Sequence, residues 1–299
     1  MIAILRKELA DYFTGIRCLI LFILVFGLCA LALVSAYQGI RGAGTEGFIF
    51  LRLYTTEPIF GGGLSSLLNF VNIVALIFVP LIGIALGFDA INRERAGGTL
   101  SRIMSQPVFR DSVINGKFLA GIVILSIMMT SAILLIGGYG LRMVGVPPSL
   151  EEINRLFIYL VLIIIYGAFW IGLSILLSVL FRSLGTSLIC SIALWLIFSF
   201  AVLVVAAVGA GQSTEALQTI IRFSPNWLFG NASSAILHPT VRTLGTITAE
   251  QAAYMIPNPL SLGQSLILVW PNLTGLVSLS AICFAISYVL FMRQEIRAT

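Results

Sequence analysis

Catalysis needs a nucleophile beside a base, a cluster of metal ligands or a cradle for phosphate, and the residues of this chain supply none of these. His238 is the single histidine and stands beside Pro239. Neither HExxH nor GxSxG occurs, and the adjacent Glu151 and Glu152 point apart on a helix, reading as a solvated helix start. Gly116-Lys117 lacks the upstream glycine of a phosphate loop and runs straight into Phe118. Cys18, Cys29, Cys190 and Cys283 lie in apolar runs without a CxxC, so neither a metal site nor a disulfide framework is expected. The expectation is a chain that binds no cofactor or metal and is not catalytic by itself.

What the residues can do is dock. The segment 89–117 reads DAINRERAGGTLSRIMSQPVFRDSVINGK. Gly97-Gly98 breaks the preceding helix, Thr99 can cap a new one, and Leu100, Ile103 and Met104 share one face of it before Pro107 ends it. Asp111 can then cap the helix that follows. Such a short amphipathic helix suits a groove on another protein, and it equally suits a resting place among lipid headgroups.

A second set of polar residues lies within apolar stretches. Asn69, Asn72, Leu76, Pro80, Gly83 and Gly87 follow one helical face, Trp170, Ser174 and Ser178 a second, and Ser191, Trp195 and Ser199 a third. Asn69, Asn72, Pro80, Ser191, Trp195 and Ser199 are the candidates for lining a solute pathway, and a packing seam explains the same spacing.

The elements that must position these groups are membrane helices. With 59% hydrophobic and 10% charged residues and a mean hydropathy of +1.07, the 299-residue chain cannot cover a soluble globular surface. A nucleic-acid-binding domain is excluded on the same ground, and the net charge of +5 comes without a basic run. Six stretches, 18–37, 70–88, 118–141, 157–181, 188–208 and 273–292, are long enough to span a hydrocarbon core of about 30 Å, and none contains an ionisable residue. They are continuously apolar rather than alternating, so an all-α bundle is expected and not a barrel.

Six spans place both termini on one side. That side holds eleven of the seventeen Lys/Arg within 59 residues, about three times the density of the other, so both termini and 89–117 are expected to be cytoplasmic in a multi-pass protein of the cell membrane. Residues 1–17 read as an amphipathic interfacial helix, with Ile2, Leu5, Leu9, Tyr12, Phe13 and Ile16 on one arc and Lys7, Glu8, Asp11 and Thr14 opposite. The extracytoplasmic segment 209–266 should carry short outer-leaflet helices. Ser224-Pro225 would open one over 226–237, and a Thr248/Gln251 capping box would open another over 252–256, with Pro239, Pro257, Pro259 and Pro271 as punctuation.

Secondary transport usually places an ionisable group at membrane depth, and this chain has none there, although sodium sites built from backbone carbonyls would not need one. In order along the chain come ILRKELADYF, then ExxGGTLxxxxSQPVxR from Glu94 to Arg110 followed by Gly116-Lys117, then FSPNWLFGNASSAIL from Phe223, and a closing FMRQEIR. This series resembles the membrane subunit of a type-2 ATP-binding-cassette transporter over the whole chain. The long last outer segment is most similar to the subgroup that includes the permease of nitrous-oxide-reductase maturation.

The resemblance implies a homodimer or heterodimer of permeases served by two separate ATPase subunits that hold the ATP and magnesium, usually for export. It further implies that Thr99 to Gln106 form a coupling helix docked on the ATPase. Glu94, Gly97, Gly98, Thr99, Leu100, Arg102, Ile103, Met104, Ser105, Gln106, Pro107 and Arg110 are then the coupling residues. Membrane lipid, a second permease copy and an extracytoplasmic protein are the other implied partners. A membrane anchor transmitting force to an outer protein, or a stand-alone secondary transporter, is the alternative.

Overall fold

In a computed structural model the chain is described over residues 2–42, 49–55, 69–99, 109–145, 147–208, 222–238 and 260–293. These residues form helices and no strand: α1 (Ile2–Thr14), α2 (Ile16–Gly42), α3 (Ile49–Thr55), α4 (Phe70–Ile73), a π turn (Val74–Phe78), α5 (Val79–Gly87), α6 (Asn92–Ala96), α7 (Arg110–Val144), α8 (Leu150–Leu180), α9 (Leu184–Val208), α10 (Pro225–Leu237) and α11 (Leu262–Arg293). Five stretches, Ile16–Val34, Phe70–Ala96, Arg110–Arg142, Leu150–Leu180 and Leu262–Arg293, are long and apolar enough to cross a membrane. A shorter apolar stretch, Leu184–Ser199, lies in α9.

Helix α8 is the hub, packed against α5, α7, α9, α10 and α11. It starts at Ser149, whose hydroxyl accepts from the Glu152 amide while the Glu152 carboxylate accepts from the Ser149 amide, a reciprocal capping box. Glu152 also accepts from the Phe50 amide at 3.0 Å, pinning the start of α3. The expectation of a solvated helix start is therefore corrected for Glu152, which is buried because these amides replace water around it. Further along, Tyr159, Ile163, Tyr166 and Trp170 are fully buried.

Close approach of α5 to α8 depends on two glycines. A Cβ on Gly83 would stand 2.5 Å from the Trp170 Cβ, and one on Gly87 would stand 2.6 Å from the Ser174 Cβ. The Gly83/Gly87 spacing is thus a packing seam, in the manner of small residues at membrane helix interfaces. Gly83→Ala should destabilise the bundle by about 1–3 kcal/mol through overpacking, read as a lower thermal midpoint in detergent. An unchanged midpoint would show that α5 can move away from α8 at no cost.

Two helix ends differ from expectation. Asp111 does not occupy the cap of α7; Phe109 does, in extended conformation, and Asp111 lies in the first turn accepting from the Ser112 amide at 2.8 Å. There its charge still favours the helix N-terminus. Pro271 does not end an outer loop but lies inside α11. Val269 and Leu276 are buried on either side of it, and the proline removes the N–H that would otherwise meet the Ile267 carbonyl. The Ser224-Pro225 start of α10 is as expected, the Ser224 hydroxyl accepting from the Trp227 amide at 3.2 Å. The expected 252–256 helix lies outside the described residues.

Candidate functional site

The second membrane stretch ends in a turn whose backbone is taken up by side chains. Ser178 of α8 accepts from the Ile91 and Asn92 amides at 3.1 and 3.2 Å, and Ser187 of α9 donates to the Phe88 carbonyl at 2.8 Å. The turn is thereby tied to the hub before α6 begins. After five residues α6 stops at Gly97-Gly98, where Gly98 takes φ +65, a left-handed conformation that glycine adopts without strain. The break expected from sequence is there. Thr99 turns its hydroxyl back to donate to the Glu94 carbonyl at 3.2 Å. Leu100, Arg102, Ile103, Met104, Ser105, Gln106 and Pro107 lie outside the described residues, and Arg110 opens α7.

Glu94 does not face water. It is buried, and its Oε1 lies 2.9 Å from Lys117 Nζ and 3.3 Å from Lys7 Nζ. Glu8 Oε1 makes the same two contacts, at 2.9 and 3.3 Å. Two carboxylates from α1 and α6 thus share one buried ammonium from α7, with Lys7 closing the group at the half-exposed rim. Burial pulls the Lys7 pKa down, but Glu8 and Glu94 raise it by more, so it stands above its ordinary value.

The sequence reading put Glu8 on the polar arc of the first helix, and this is corrected. Ile4, Glu8 and Tyr12 form the face that packs inward, while Ile2 and Phe13 are exposed. Glu8 can turn inward because Lys117 meets it there. Gly116 has its reason here too: a Cβ on it would come within 2.8 Å of Ile4 Cγ2, so the glycine lets α1 lie close enough to α7 for Lys117 to bridge. The Gly116-Lys117 pair belongs to this junction and not to a phosphate cradle.

Around the cluster lies a cavity of about 680 Å³, bordered by Asp11, Arg17, Asp89 and Arg93 as well as the four clustered charges, and reaching Thr99. Arg17 pairs with the buried Asp89 and lies over the Phe88 ring, and the Tyr12 hydroxyl donates to the Leu86 carbonyl at 2.7 Å. Burial, Asp89 and Glu8 together push the Tyr12 phenol well above its ordinary pKa, so it stays a donor. Four basic and four acidic side chains balance in this wall. Chemically the arrangement is a clamp: it fixes the position from which the segment after Gly98 departs.

The candidate pathway residues are drawn together around the π turn. Asn69 caps α4, accepting from the Asn72 amide at 2.8 Å. In the turn the Val79 amide reaches back five residues to the Val74 carbonyl, and Pro80 has no N–H to give. Ala75 O is thereby left without a backbone donor, and Leu76 O lacks its α-helical one. Side chains from two other helices replace them: the Tyr166 hydroxyl at 2.8 Å from Ala75 O and the Trp195 indole N–H at 2.8 Å from Leu76 O. Because the one Tyr166 proton goes to Ala75 O, the Asn226 side chain must turn its N–H toward the Tyr166 oxygen at 2.7 Å and its carbonyl toward Ser199 Oγ at 3.3 Å, while Ser191 donates to Ser187 O.

Tyr166 and Asn226 were not singled out from sequence. Pro80 was the available signal, since a proline in an apolar span must leave a carbonyl for some neighbour to satisfy.

Comparison with known proteins agrees with this anatomy. A family model described as ABC-2 family transporter protein matches residues 2–296. The probable ABC transporter permease protein NosY of Pseudomonas aeruginosa is 29% identical over 244 residues, covering 76% of this chain and 78% of that protein. The protein of the same description from Stutzerimonas stutzeri is 31% identical over 156 residues, covering 52% and 49%. Members of such a family work in membrane with an ATPase partner, and the apolar helices described above suit that role. With the family model matched almost from end to end, the chain belongs to the ABC-2 transporter family as a permease subunit of an ATP-binding-cassette transporter.

Proposed function

We propose that this permease spans the cytoplasmic membrane six times with both termini inside, and that residues 99–106 are the helix through which a separate ATPase subunit drives it. The observation that carries the reading is the buried Glu8, Glu94 and Lys117 cluster. An ion pair buried at the root of a loop serves position more than stability, and here it fixes the departure point of the one segment whose apolar face suits a protein groove. The span beyond the five long apolar stretches is the fifth in chain order and corresponds to α9, and α1 corresponds to an interfacial connecting helix whose exposed Ile2 and Phe13 suit the headgroup region. The basic-residue density supports the orientation. Two permease copies and two ATPases would then act together, with an amphipathic substrate exported along a path bordered by the second and fifth spans.

The alternative, an anchor transmitting force to an outer protein, uses the same coupling and differs in having no flux. Substrate-stimulated ATPase activity and flux in vesicles distinguish the two.

The coupling role is tested by Leu100→Ala combined with Ile103→Ala. A central apolar anchor at a protein interface is typically worth about 2 kcal/mol or more, so the double variant should insert and fold normally yet lose most of its association with the partner ATPase. Arg102→Ala, if the guanidinium meets a rim carboxylate, should cost less and depend on salt. Pull-down of the ATPase at wild-type strength by the double variant would assign 99–106 to the lipid surface instead.

A further inference from the structure

We propose that the π turn of the second span is a register switch, locked by Tyr166, with a second and fully α-helical state. The physical case starts from the two carbonyls. Were the turn to tighten into α-helix, the Val79 amide would move from Val74 O to Ala75 O. Leu76 O would gain nothing, because Pro80 lacks the N–H in either state, and it would keep the Trp195 indole. The two registers therefore differ by one backbone acceptor, Ala75 O, and in the π register its donor is the Tyr166 hydroxyl. That single hydrogen bond, inside a fully buried site, decides between them.

The geometry also says which half of the span would turn. Below the turn, α5 is seated with Gly83 and Gly87 against Trp170 and Ser174, with no room for another face. Its lower end is held by Ser178 and Ser187. Above the turn, among the described residues, stands the four-residue α4, capped by Asn69 with Asn72 half-buried. Absorbing the extra residue rotates one side against the other by about 100° and shifts it by about 1.5 Å along the axis, and α4 is the side that would turn, re-seating Phe70 and Ile73, which are buried with Phe70 against the Tyr54 ring. The span that leads into the clamp at Asp89 and Glu94 would thus carry a two-state element between that clamp and its own outer end. Such bistable elements are what local shifts need in order to act at a distance.

The test places spin labels on noncanonical residues at Asn72 and Phe157 in the full-length permease in lipid nanodiscs. Wild type should show one dominant distance. Tyr166→Phe removes only the hydroxyl and should raise a second, discrete distance about tenfold. Asn226→Ala leaves the Tyr166 to Ala75 bond in place, and Trp195→Phe orphans Leu76 O in both registers, so each should retain the wild-type distribution. A wild-type distribution in Tyr166→Phe would overturn the switch. So would an equal shift in Asn226→Ala, since the movement would then reflect loosened packing around α10.

Only the drive for the switch rests on the coupling reading. In the complex with its ATPase, ATP should bring the wild type to the second distance. If ATP leaves it unmoved while Tyr166→Phe shifts it, the coupling reading falls and the register switch stands.

Discussion

Lys117→Met is expected to cost this permease about 3–5 kcal/mol, the usual penalty for leaving a buried charge without its partner. Lys117 is itself buried and lies 2.9 Å from both Glu8 and Glu94. Removing its ammonium leaves two carboxylates to Lys7, which is half-exposed and lies at 3.3 Å from each. Water from the adjoining cavity or an extra proton must then take the place of the ammonium between two carboxylates. The disruption should centre on the junction of α1, α6 and α7, because the bonds from Ser178 of α8 that hold the turn before α6 do not involve Lys117. A double-mutant cycle sharpens the point: Glu8→Gln with Lys117→Met restores the charge balance between Glu94 and Lys7 and should recover a good part of the loss. Equal thermal midpoints for the wild type and Lys117→Met would show that the cluster is solvated in the membrane-embedded protein and holds nothing.

Coupling should suffer even where the protein survives. Residue Thr99 hangs from the Glu94 carbonyl, so a displaced α6 re-aims everything beyond Gly98. In Lys117→Arg the charge persists but the planar guanidinium replaces a compact ammonium set between two carboxylates. That variant should fold more nearly as wild type does while its ATPase activity becomes less dependent on the permease. Measuring ATPase stimulation alongside the thermal midpoint separates the two effects.

Local signals made much of this anatomy legible. The Gly97-Gly98 break and the Ser224-Pro225 helix start each depend on neighbours in sequence and are found where the residues put them, while of the six expected apolar stretches five meet helices long enough to cross a membrane and 188–208 meets the shorter Leu184–Ser199. Glu8 was misplaced because its burial depends on Lys117, 109 residues away, and a helical wheel knows nothing of a distant counter-charge. Tyr166 was invisible for a related reason. Its importance follows from an orphaned carbonyl, which exists only because the span adopts a π turn before Pro80. Glu152 was within reach: Ser149 three residues before it is the signature of a capping box, and the pair of acids drew the eye instead.

Arg155 carries the second large effect, at the opposite end of the bundle. It lies one helical turn into α8, fully buried, and its guanidinium donates to the Ile236 carbonyl at 2.8 Å, the Leu260 carbonyl at 2.6 Å, Ser265 Oγ at 3.2 Å and the Glu151 carboxylate at 2.8 Å. Through these bonds one side chain ties the last turn of α10 and the first turn of α11 to the hub. The two carbonyls lie at the end of α10 and just before α11, so Arg155→Met takes a donor from both and removes charge-assisted bonds worth about 1.5–3 kcal/mol each before relaxation. A net loss of about 3–5 kcal/mol is expected, with α10 released first and faster proteolysis between α10 and α11. Arg155→Lys should rescue little, since a single ammonium cannot reach four acceptors spread across a planar fork. Insertion and association with the ATPase should persist, because the Glu8, Glu94 and Lys117 clamp lies at the far end of the bundle, where Ser178 closes α8. Should Arg155→Met resist protease as the wild type does, the outer helices are held by their apolar contacts alone, Phe229 stacked on Tyr166 at 4.4 Å foremost among them.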